Sequence, residues 1–447
     1  MSSAPTIRSF DFAQYRPAYR VDDSGLVELA GSTLGPGASD LLDIIEAVGT
    51  ADRLAPRPDA TEAGQPWTRS LELTIGVRQP HLWRGLSTSL EGLLEWLTDD
   101  EWQFDFAPRR STSKLRDGEI TGTLFSRLAG PRPVGLFSGG LDSLCGAVAD
   151  LTAGQPLSLV SIESNSRMAR SQRDLATALG GFGAFNLTGL SVRLHDTDQD
   201  ESTQRTRGFT FLGLGAAAAY ISGSTELRVY ENGVGALNLP MSASQVGAHT
   251  SKAMHPSTLD RVATLLSEAL NWPLSIVNPN MCHTKGEMCA YLPPAVHALV
   301  PTALSCDTAY AHRTTQVHSC GRCTSCILRR QSLFAAGLEG LDAKTAHRVD
   351  VLSPSAGDDL EPLRAMLAQL ARLQRCLEGQ GGWSDLCAMF PELYDLSTLG
   401  LLGPAIDRST MRTEVMDLYR RYIQEWHRFP VDGLGAFLRP GSSEQTH

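Results

Sequence analysis

The run VGLFSGGLDSLCG at residues 134–146 constrains the fold of this chain more than any other stretch. Residues 134–137 predict a short buried strand, the glycines after Ser138 predict a tight turn, and apolar residues at helical spacing from Asp142 onward predict a helix. Glycines let a backbone approach a phosphate, and the first amides of a helix have no partner inside that helix. The run therefore predicts an anion site formed by Ser138, Gly139, Gly140, Leu141, Asp142 and Ser143.

The side chains of this turn add to the anion site. Ser138 and Ser143 can supply hydroxyl donors, and Asp142 could hold Mg²⁺ through water. The Gly-x-x-x-x-Gly-Lys-Ser/Thr spacing of a Walker loop is absent. An ordinary glycine-rich turn between a strand and a helix is the alternative interpretation of the same residues.

Composition limits the class of protein. The chain has 447 residues, of which 42% are hydrophobic and 20% are charged, and these values are typical of a folded protein of two to three domains. A formal net charge of −10 argues against a general nucleic-acid-binding surface. The longest apolar run, at residues 211–221, is too short to span a bilayer, and the N-terminus lacks a signal-peptide pattern. We therefore expect a cytoplasmic protein without a membrane partner.

Strand and helix patterns alternate from residue 134 onward. Further strands are predicted at 157–162, 190–194 and 227–230, and helices at 173–179 and 209–221. This alternation predicts an α/β fold with a doubly wound parallel sheet. Ligands of such sheets bind at the carboxyl ends of the strands, where the loop after residue 137 would lie.

The chain is predicted to divide into three regions. Residues 1–130 predict a small N-terminal accessory α+β domain, with helices at 40–48 and 86–97 and strands at 71–77 and 102–106. A polar loop at 111–118 precedes the central domain at 131–340. Residues 341–447 predict a C-terminal helical region, with amphipathic helices at 360–377 and 411–426 and a disordered tail from 441. The flanking helices are interpreted as packing on the central domain, and docking of a partner is the alternative.

Four of the nine cysteines form a group with metal-ligand spacing. Three thiols at i, i+3 and i+6 and one further upstream predict a closed tetrahedral Zn²⁺ site, for which an iron–sulfur cluster is the alternative occupant. His312 and His318 are interpreted as loop residues rather than ligands. The predicted ligands are Cys306, Cys320, Cys323 and Cys326. The remaining cysteines, interpreted as small core residues, are Cys145, Cys282, Cys289, Cys376 and Cys387.

The anion loop carries a resemblance to a known family. Residues 138–143 match every fixed position of the Ser-Gly-Gly-x-Asp-Ser signature of the ATP pyrophosphatase (PP-loop) family. Together with the cysteine group, which Arg329 follows, they resemble the QueC-like 7-cyano-7-deazaguanine synthases over about residues 131–340. Residues 284–287, Thr-Lys-Gly-Glu, match that family's Thr-Lys-x-Glu helix start, and Arg207 matches an arginine before the equivalent helix. The length of the chain resembles that of QueC-like proteins in bacterial antiphage systems of the QatC and CBASS types.

The resemblance implies a PP-loop/HUP-like fold and the cofactors ATP, Mg²⁺ and Zn²⁺. It implies that the loop holds the β- and γ-phosphates while the carboxylate of a 7-deazapurine attacks the α-phosphate. Asp142, Lys285 and Arg207 are the implied catalytic residues, with Lys285 directed to the α-phosphate or the carboxylate and Arg207 to the phosphates. The antiphage relatives imply transfer to an amine of a partner protein. Ammonia, giving a free nitrile, is the alternative acceptor.

One stretch departs from the family pattern. The family's Gly-Tyr-Pro-Asp-Cys-Arg segment is absent, and residues 231–240, ENGVGALNLP, stand in its place. We therefore expect the second-substrate pocket to differ. A tRNA-thiolating enzyme would also combine such a loop with cysteines, but it would need a basic surface. A non-enzymatic scaffold with a degenerate nucleotide site is the remaining alternative, and the intact loop argues against it.

Overall fold

The structure, a computed structural model, describes residues 7–31, 34–57, 67–110, 132–164, 166–195, 197–241, 251–307, 319–342, 347–355, 358–396 and 408–431. The strands in these ranges are β1 (Ile7–Phe12), β2 (Tyr19–Asp22), β3 (Ser70–Val77), β4 (Glu101–Pro108), β5 (Val134–Leu136), β6 (Leu157–Glu163), β7 (Phe185–Leu194), β8 (Glu226–Arg228) and β9 (Ser275–Val277). The helices of the first half are α1 (Ser24–Ala30), α2 (Gly35–Leu54), α3 (Pro80–Thr98), α4 (Leu141–Thr152), α5 (Ser166–Leu179) and α6 (Arg207–Ser222). Those of the second half are α7 (Gly233–Leu237), α8 (Pro256–Leu270), α9 (Lys285–Ala290), a 3₁₀ helix (Pro294–Thr302), α10 (Thr324–Ala335), α11 (Glu339–Asp342), α12 (Glu361–Glu378), α13 (Trp383–Met389), α14 (Leu393–Leu396) and α15 (Arg408–Arg428).

A mixed six-stranded sheet holds the SGGLDS loop. Its strand order is β2-β7-β6-β5-β8-β9, and all neighbouring strands are parallel except β2, which pairs antiparallel with β7. The α/β fold is confirmed, but the prediction of a wholly parallel sheet is wrong at this edge. A strand–helix–strand repeat sets the direction of β5 to β9. The strand β2 comes from far upstream, outside that repeat, and the sequence analysis predicted no strand at residues 19–22.

The strand order places a topological switch point beside the loop. From β5 the chain adds β6 and β7 on one side, whereas β8 and β9 extend the sheet on the other side. Val134 of β5 accordingly pairs with Ser158 of β6 and with Leu227 of β8. The loops that follow β5 and β8 therefore face a common crevice at the carboxyl ends of the strands, where doubly wound sheets bind ligands.

The N-terminal segment shares a hydrophobic core with this sheet. The strands β1, β3 and β4 form a separate parallel three-stranded sheet. The helix α2 is buried along most of its length and packs against β3 and against α6. A single buried cluster consequently runs from Trp83 and Phe106 to Phe209 and Leu266. The boundary at residue 130 stays a prediction, because this shared core neither requires nor excludes it.

Each strand and helix that periodicity predicted coincides with an element of the structure, with longer bounds in several cases. Among the strands, the largest extension is that of β7, which begins at Phe185 rather than at residue 190. Asn186, Thr188 and Gly189 interrupt its apolar pattern. The predicted linker at 111–118 and the tail from 441 lie outside the described residues.

Candidate functional site

The loop after β5 is held in one conformation by its neighbours. Gly139 has a φ of +76°, a left-handed conformation that favours glycine. Gln172 of α5 donates a hydrogen bond from its side-chain amide to the Ser138 carbonyl at 3.1 Å. Leu304 donates its backbone amide to the Gly139 carbonyl at 3.0 Å. These two hydrogen bonds hold the backbone of the turn in place.

The start of α4 offers donors to an anion. Gly140 is the N-cap residue, and the first intrahelical bond from Leu144 already goes to its carbonyl at 3.0 Å. The amides of Leu141, Asp142 and Ser143 precede that bond, so helix geometry leaves them without an acceptor inside the helix. The Ser138 and Ser143 hydroxyls lie 3.2 Å apart at the same end of the helix. This arrangement has the donors and the dipole direction that favour a phosphate.

A buried group of charged side chains lies beside the helix start. Lys285, the first residue of α9, donates from Nζ to Asp142 Oδ2 at 3.2 Å. The side-chain amide of Asn232 donates to the same oxygen at 3.2 Å and to Glu231 Oε1 at 2.8 Å. Asn232 is also the N-cap of α7, since its side-chain oxygen accepts from the Gly235 amide at 2.9 Å. That cap bond fixes the direction in which its amide points.

The charges of this group perturb one another. Burial raises the pKa of Glu231 well above its ordinary value, and the neighbouring Asp142 carboxylate raises it further. Burial alone would lower the pKa of Lys285, but the Asp142 and Glu231 carboxylates outweigh it and raise that pKa. Lys285 is therefore a fixed positive charge at neutral pH. Asp142 Oδ1 is buried and has no hydrogen-bond partner among the described residues, which leaves one carboxylate oxygen for a ligand or a cation.

One cavity of about 710 Å³ joins these features. Residues from the turn, from the loop after β8 and from the start of α9 line one part of it, and residues of α12 and α15 line another. The predicted catalytic and nucleotide-site residues among its lining are Ser138, Gly140, Leu141, Asp142, Arg207 and Lys285, and the predicted metal ligand Cys306 also lines it. Gly139 and Ser143 adjoin this set without lining the cavity. Arg207, the first residue of α6, holds its guanidinium 4.8 Å from the centre of the Phe211 ring.

The four predicted cysteine ligands converge as well. All four sulfur atoms lie within 4.8 Å of one another, and the sulfurs of Cys320 and Cys326 are 3.9 Å apart. A single tetrahedral ion with Zn–S bonds near 2.3 Å separates its sulfurs by about 3.8 Å, so the spacing fits a metal such as zinc. A cluster of several iron atoms lies between its thiolates and would hold them farther apart. Backbone amides support the group, since Cys320 donates to Cys306 Sγ at 3.2 Å.

A buried arginine connects the cysteine group to the anion loop. Arg329 lies on α10, one turn after Cys326, and is 1% exposed. Its guanidinium donates to the Val300 carbonyl at 2.7 Å and to the Ala303 carbonyl at 2.8 Å. The same segment carries Leu304, which binds the Gly139 carbonyl. The residues that lead to Cys306 therefore also support the turn.

Sequence reasoning missed Glu231 and Asn232 as site residues. Both directly follow the strand predicted at 227–230, so their place at the carboxyl edge of a parallel sheet was an available signal. Four of the five remaining cysteines are buried, as their interpretation as core residues predicts: Cys145, Cys289, Cys376 and Cys387. Cys282 is only half-buried. His312 and His318 lie outside the described residues.

Comparison with models of known protein families and with curated protein sequences gave no match. Within the described residues, no helix combines the length and the apolar character that crossing a membrane requires.

Proposed function

We propose that the protein uses ATP to activate the carboxylate of a 7-deazapurine and transfers the resulting acyl group to an amine. One observation carries the proposal: the SGGLDS turn, the buried Lys285 and the Asp142–Glu231 carboxyl pair line a single cavity at the switch point of the sheet. The residue pattern that resembles QueC-like enzymes supplies the substrate class.

In the proposed first step, an oxygen of the substrate carboxylate attacks the α-phosphorus of ATP, and pyrophosphate leaves. The first amides of α4 and the Ser138 and Ser143 hydroxyls would donate hydrogen bonds to the departing phosphates. Lys285 and Arg207 would neutralise charge on the α-phosphate and on the other phosphates. Mg²⁺ would offset further phosphate charge, and Asp142 Oδ1, which has no hydrogen-bond partner among the described residues, would accept from its hydration shell.

In the proposed second step, the amine nitrogen attacks the acyl carbon, the bond to AMP breaks, and the nitrogen loses a proton as the amide forms. We place this amine on a partner protein, as the resemblance to antiphage QueC-like proteins implies. Ammonia as the acceptor would instead give a primary amide. Activation of the amide oxygen by a second ATP, followed by loss of that oxygen with AMP and of the two amide protons, would give the nitrile. The cysteine group would hold a structural Zn²⁺ that orders the segment from Val300 to Cys306.

Exchange of labelled pyrophosphate into ATP tests the first step. We expect exchange that depends on added 7-carboxy-7-deazaguanine in the full chain, and loss of about a hundredfold or more in Asp142→Asn. Asp174→Asn is the matched control, because Asp174 is exposed on α5 and lies outside the cavity. Absence of carboxylate-dependent exchange in a protein that binds ATP would refute the proposed activity.

Mass spectrometry tests the acceptor. Incubation with ATP, the carboxylate and a lysate of the source cell should yield a partner protein that carries the deazapurine mass. Full conversion to a free nitrile with ammonia alone would identify a synthase and reject the protein acceptor.

A further inference from the structure

The C-terminal helix α15 contacts the turn that presents Lys285. Glu425 accepts a hydrogen bond from the Thr284 hydroxyl, and Arg421 donates to the Cys282 carbonyl at 2.6 Å. Arg421 also pairs with the Glu287 carboxylate at 2.8 Å. We propose that Glu425 and Arg421 are positioning residues for Lys285, so that α15 is part of the machinery of the cavity. The effect on turnover rests on the proposed function, whereas the effect on Lys285 itself does not.

The contacts fall on the capping box that starts α9. Thr284 accepts the Glu287 amide at 3.0 Å, and the Glu287 carboxylate accepts the Thr284 amide at 2.8 Å. The Thr284 hydroxyl proton is then free to bind an outside acceptor, and Glu425 is that acceptor. Arg421 holds the other member of the box. Both halves of the cap are therefore tied to one helix.

The residues that contact one another at the start of α9 are buried. Thr284 is fully buried, Glu425 is 5% exposed and Lys285 is 6% exposed. A Cβ atom added to Gly286 would lie 2.6 Å from a Glu425 oxygen, so the carboxylate rests directly on the backbone next to Lys285. The helix α9 has six residues, and a helix of this length is not stable without tertiary contacts.

The consequence reaches the carboxylates in the cavity. Lys285 is the first helical residue after Thr284, and its side-chain nitrogen lies 3.2 Å from Asp142 Oδ2. Release of Thr284 would loosen the start of α9 and with it the direction of the Lys285 side chain. Misplacement of a charged group by about 1 Å is sufficient to lower a chemical rate strongly.

Two pairs of variants separate positioning from simple stability. Glu425→Ala removes the acceptor for Thr284, and Glu425→Gln restores an oxygen acceptor of the same shape; Gln424→Ala on the exposed side of α15 is its control. Arg421→Ala removes the second tie, and Arg420→Ala is its control, since the exposed Arg420 pairs only with Asp417 among the described residues. Arg421 is partly exposed, so Arg421→Ala is the milder change. This variant still tests the positioning role if Glu425→Ala does not fold.

The direct measurement is the rate at which an amine-acylating reagent modifies Lys285 in the full chain, followed by peptide mass spectrometry. The chain's other lysines are Lys114, Lys252 and Lys344, and Lys252, paired with Asp99 at 3.0 Å, is the internal reference. We expect Glu425→Ala and Arg421→Ala to raise Lys285 modification about tenfold relative to Lys252, and Glu425→Gln to return it toward wild type.

Pyrophosphate exchange gives the second measurement. We expect kcat to fall by about tenfold in Glu425→Ala with little change in KM for ATP, and to recover in Glu425→Gln. Unchanged Lys285 modification in folded Glu425→Ala and Arg421→Ala would overturn the positioning role. Absence of exchange in the wild type, with the modification pattern as expected, would reject the proposed function and leave the positioning role intact.

Discussion

Replacement of Gly139 by alanine tests whether the turn is a built anion site or an ordinary strand-to-helix connection. Two costs arise at this position. The φ of +76° is unfavourable for alanine by about 1–2 kcal/mol. The added Cβ would also lie 3.0 Å from Gln172 Cγ, so Gln172 must shift and weaken its hydrogen bond to Ser138, at about 1 kcal/mol. The total loss in unfolding free energy is about 2–3 kcal/mol.

Gly154 offers a matched control at the other end of α4. Its φ is also +76°, but an added Cβ meets no atom within 4 Å. Gly154→Ala should therefore lose only the backbone cost of about 1–2 kcal/mol. Any gain from restricting the unfolded chain is the same in both variants and cancels in the comparison.

The assay combines urea unfolding with ATP binding by calorimetry. Gly139→Ala should be less stable than Gly154→Ala by about 1 kcal/mol and should bind ATP about tenfold or more weakly, because the displaced turn moves the first amides of α4. Gly154→Ala should bind ATP as the wild type does. Equal stability and equal ATP affinity of the two variants would refute the argument that this turn is a phosphate site.

Two further outcomes follow from the structure. Cys323→Ser should reduce bound metal well below one ion per chain and lower the unfolding temperature, whereas Cys282→Ser, outside the cysteine group, should retain the metal; elemental analysis showing equal metal in both would contradict the site. Burial, assisted by the charge of Lys252, lowers the pKa of His255 to about 4. As pH falls from 6.5 toward 4, the His255 imidazole therefore gains its proton in the unfolded chain before it does so in the folded protein. The free energy of unfolding should fall by up to about 3 kcal/mol over that range. His255→Asn keeps an acceptor for the Ser257 amide and should remove this part of the pH dependence of urea unfolding; an unchanged profile would show that His255 does not titrate as described.

Local patterns predicted many elements of the fold but missed β1, β2, β9 and α8, and they did not predict contacts between residues distant in sequence. The strand, turn and helix at 134–152 follow from neighbouring residues, and so does the grouping of Cys320, Cys323 and Cys326. The juxtaposition of Asn232 with Asp142 spans 90 positions, and that of Glu425 with Thr284 spans 141. An apolar stripe shows which face of a helix is buried, but not which element it meets. The pairing of β2 with β7 joins segments about 170 residues apart and was missed for the same reason.

The antiparallel strand β2 has a consequence for where the chain can be cut. β7 is ten residues long, and within the described residues the strand that pairs with its outer edge is β2, with Tyr19–Asp22 opposite residues 191–194. A fragment beginning at residue 131 would leave that edge without a partner and would uncover the face of α6 that α2 covers. Unpaired strand edges and large apolar faces promote self-association. The segment from residue 131 onward, which carries the SGGLDS loop, is therefore expected to aggregate when expressed alone, and the practical expression boundary lies before β2.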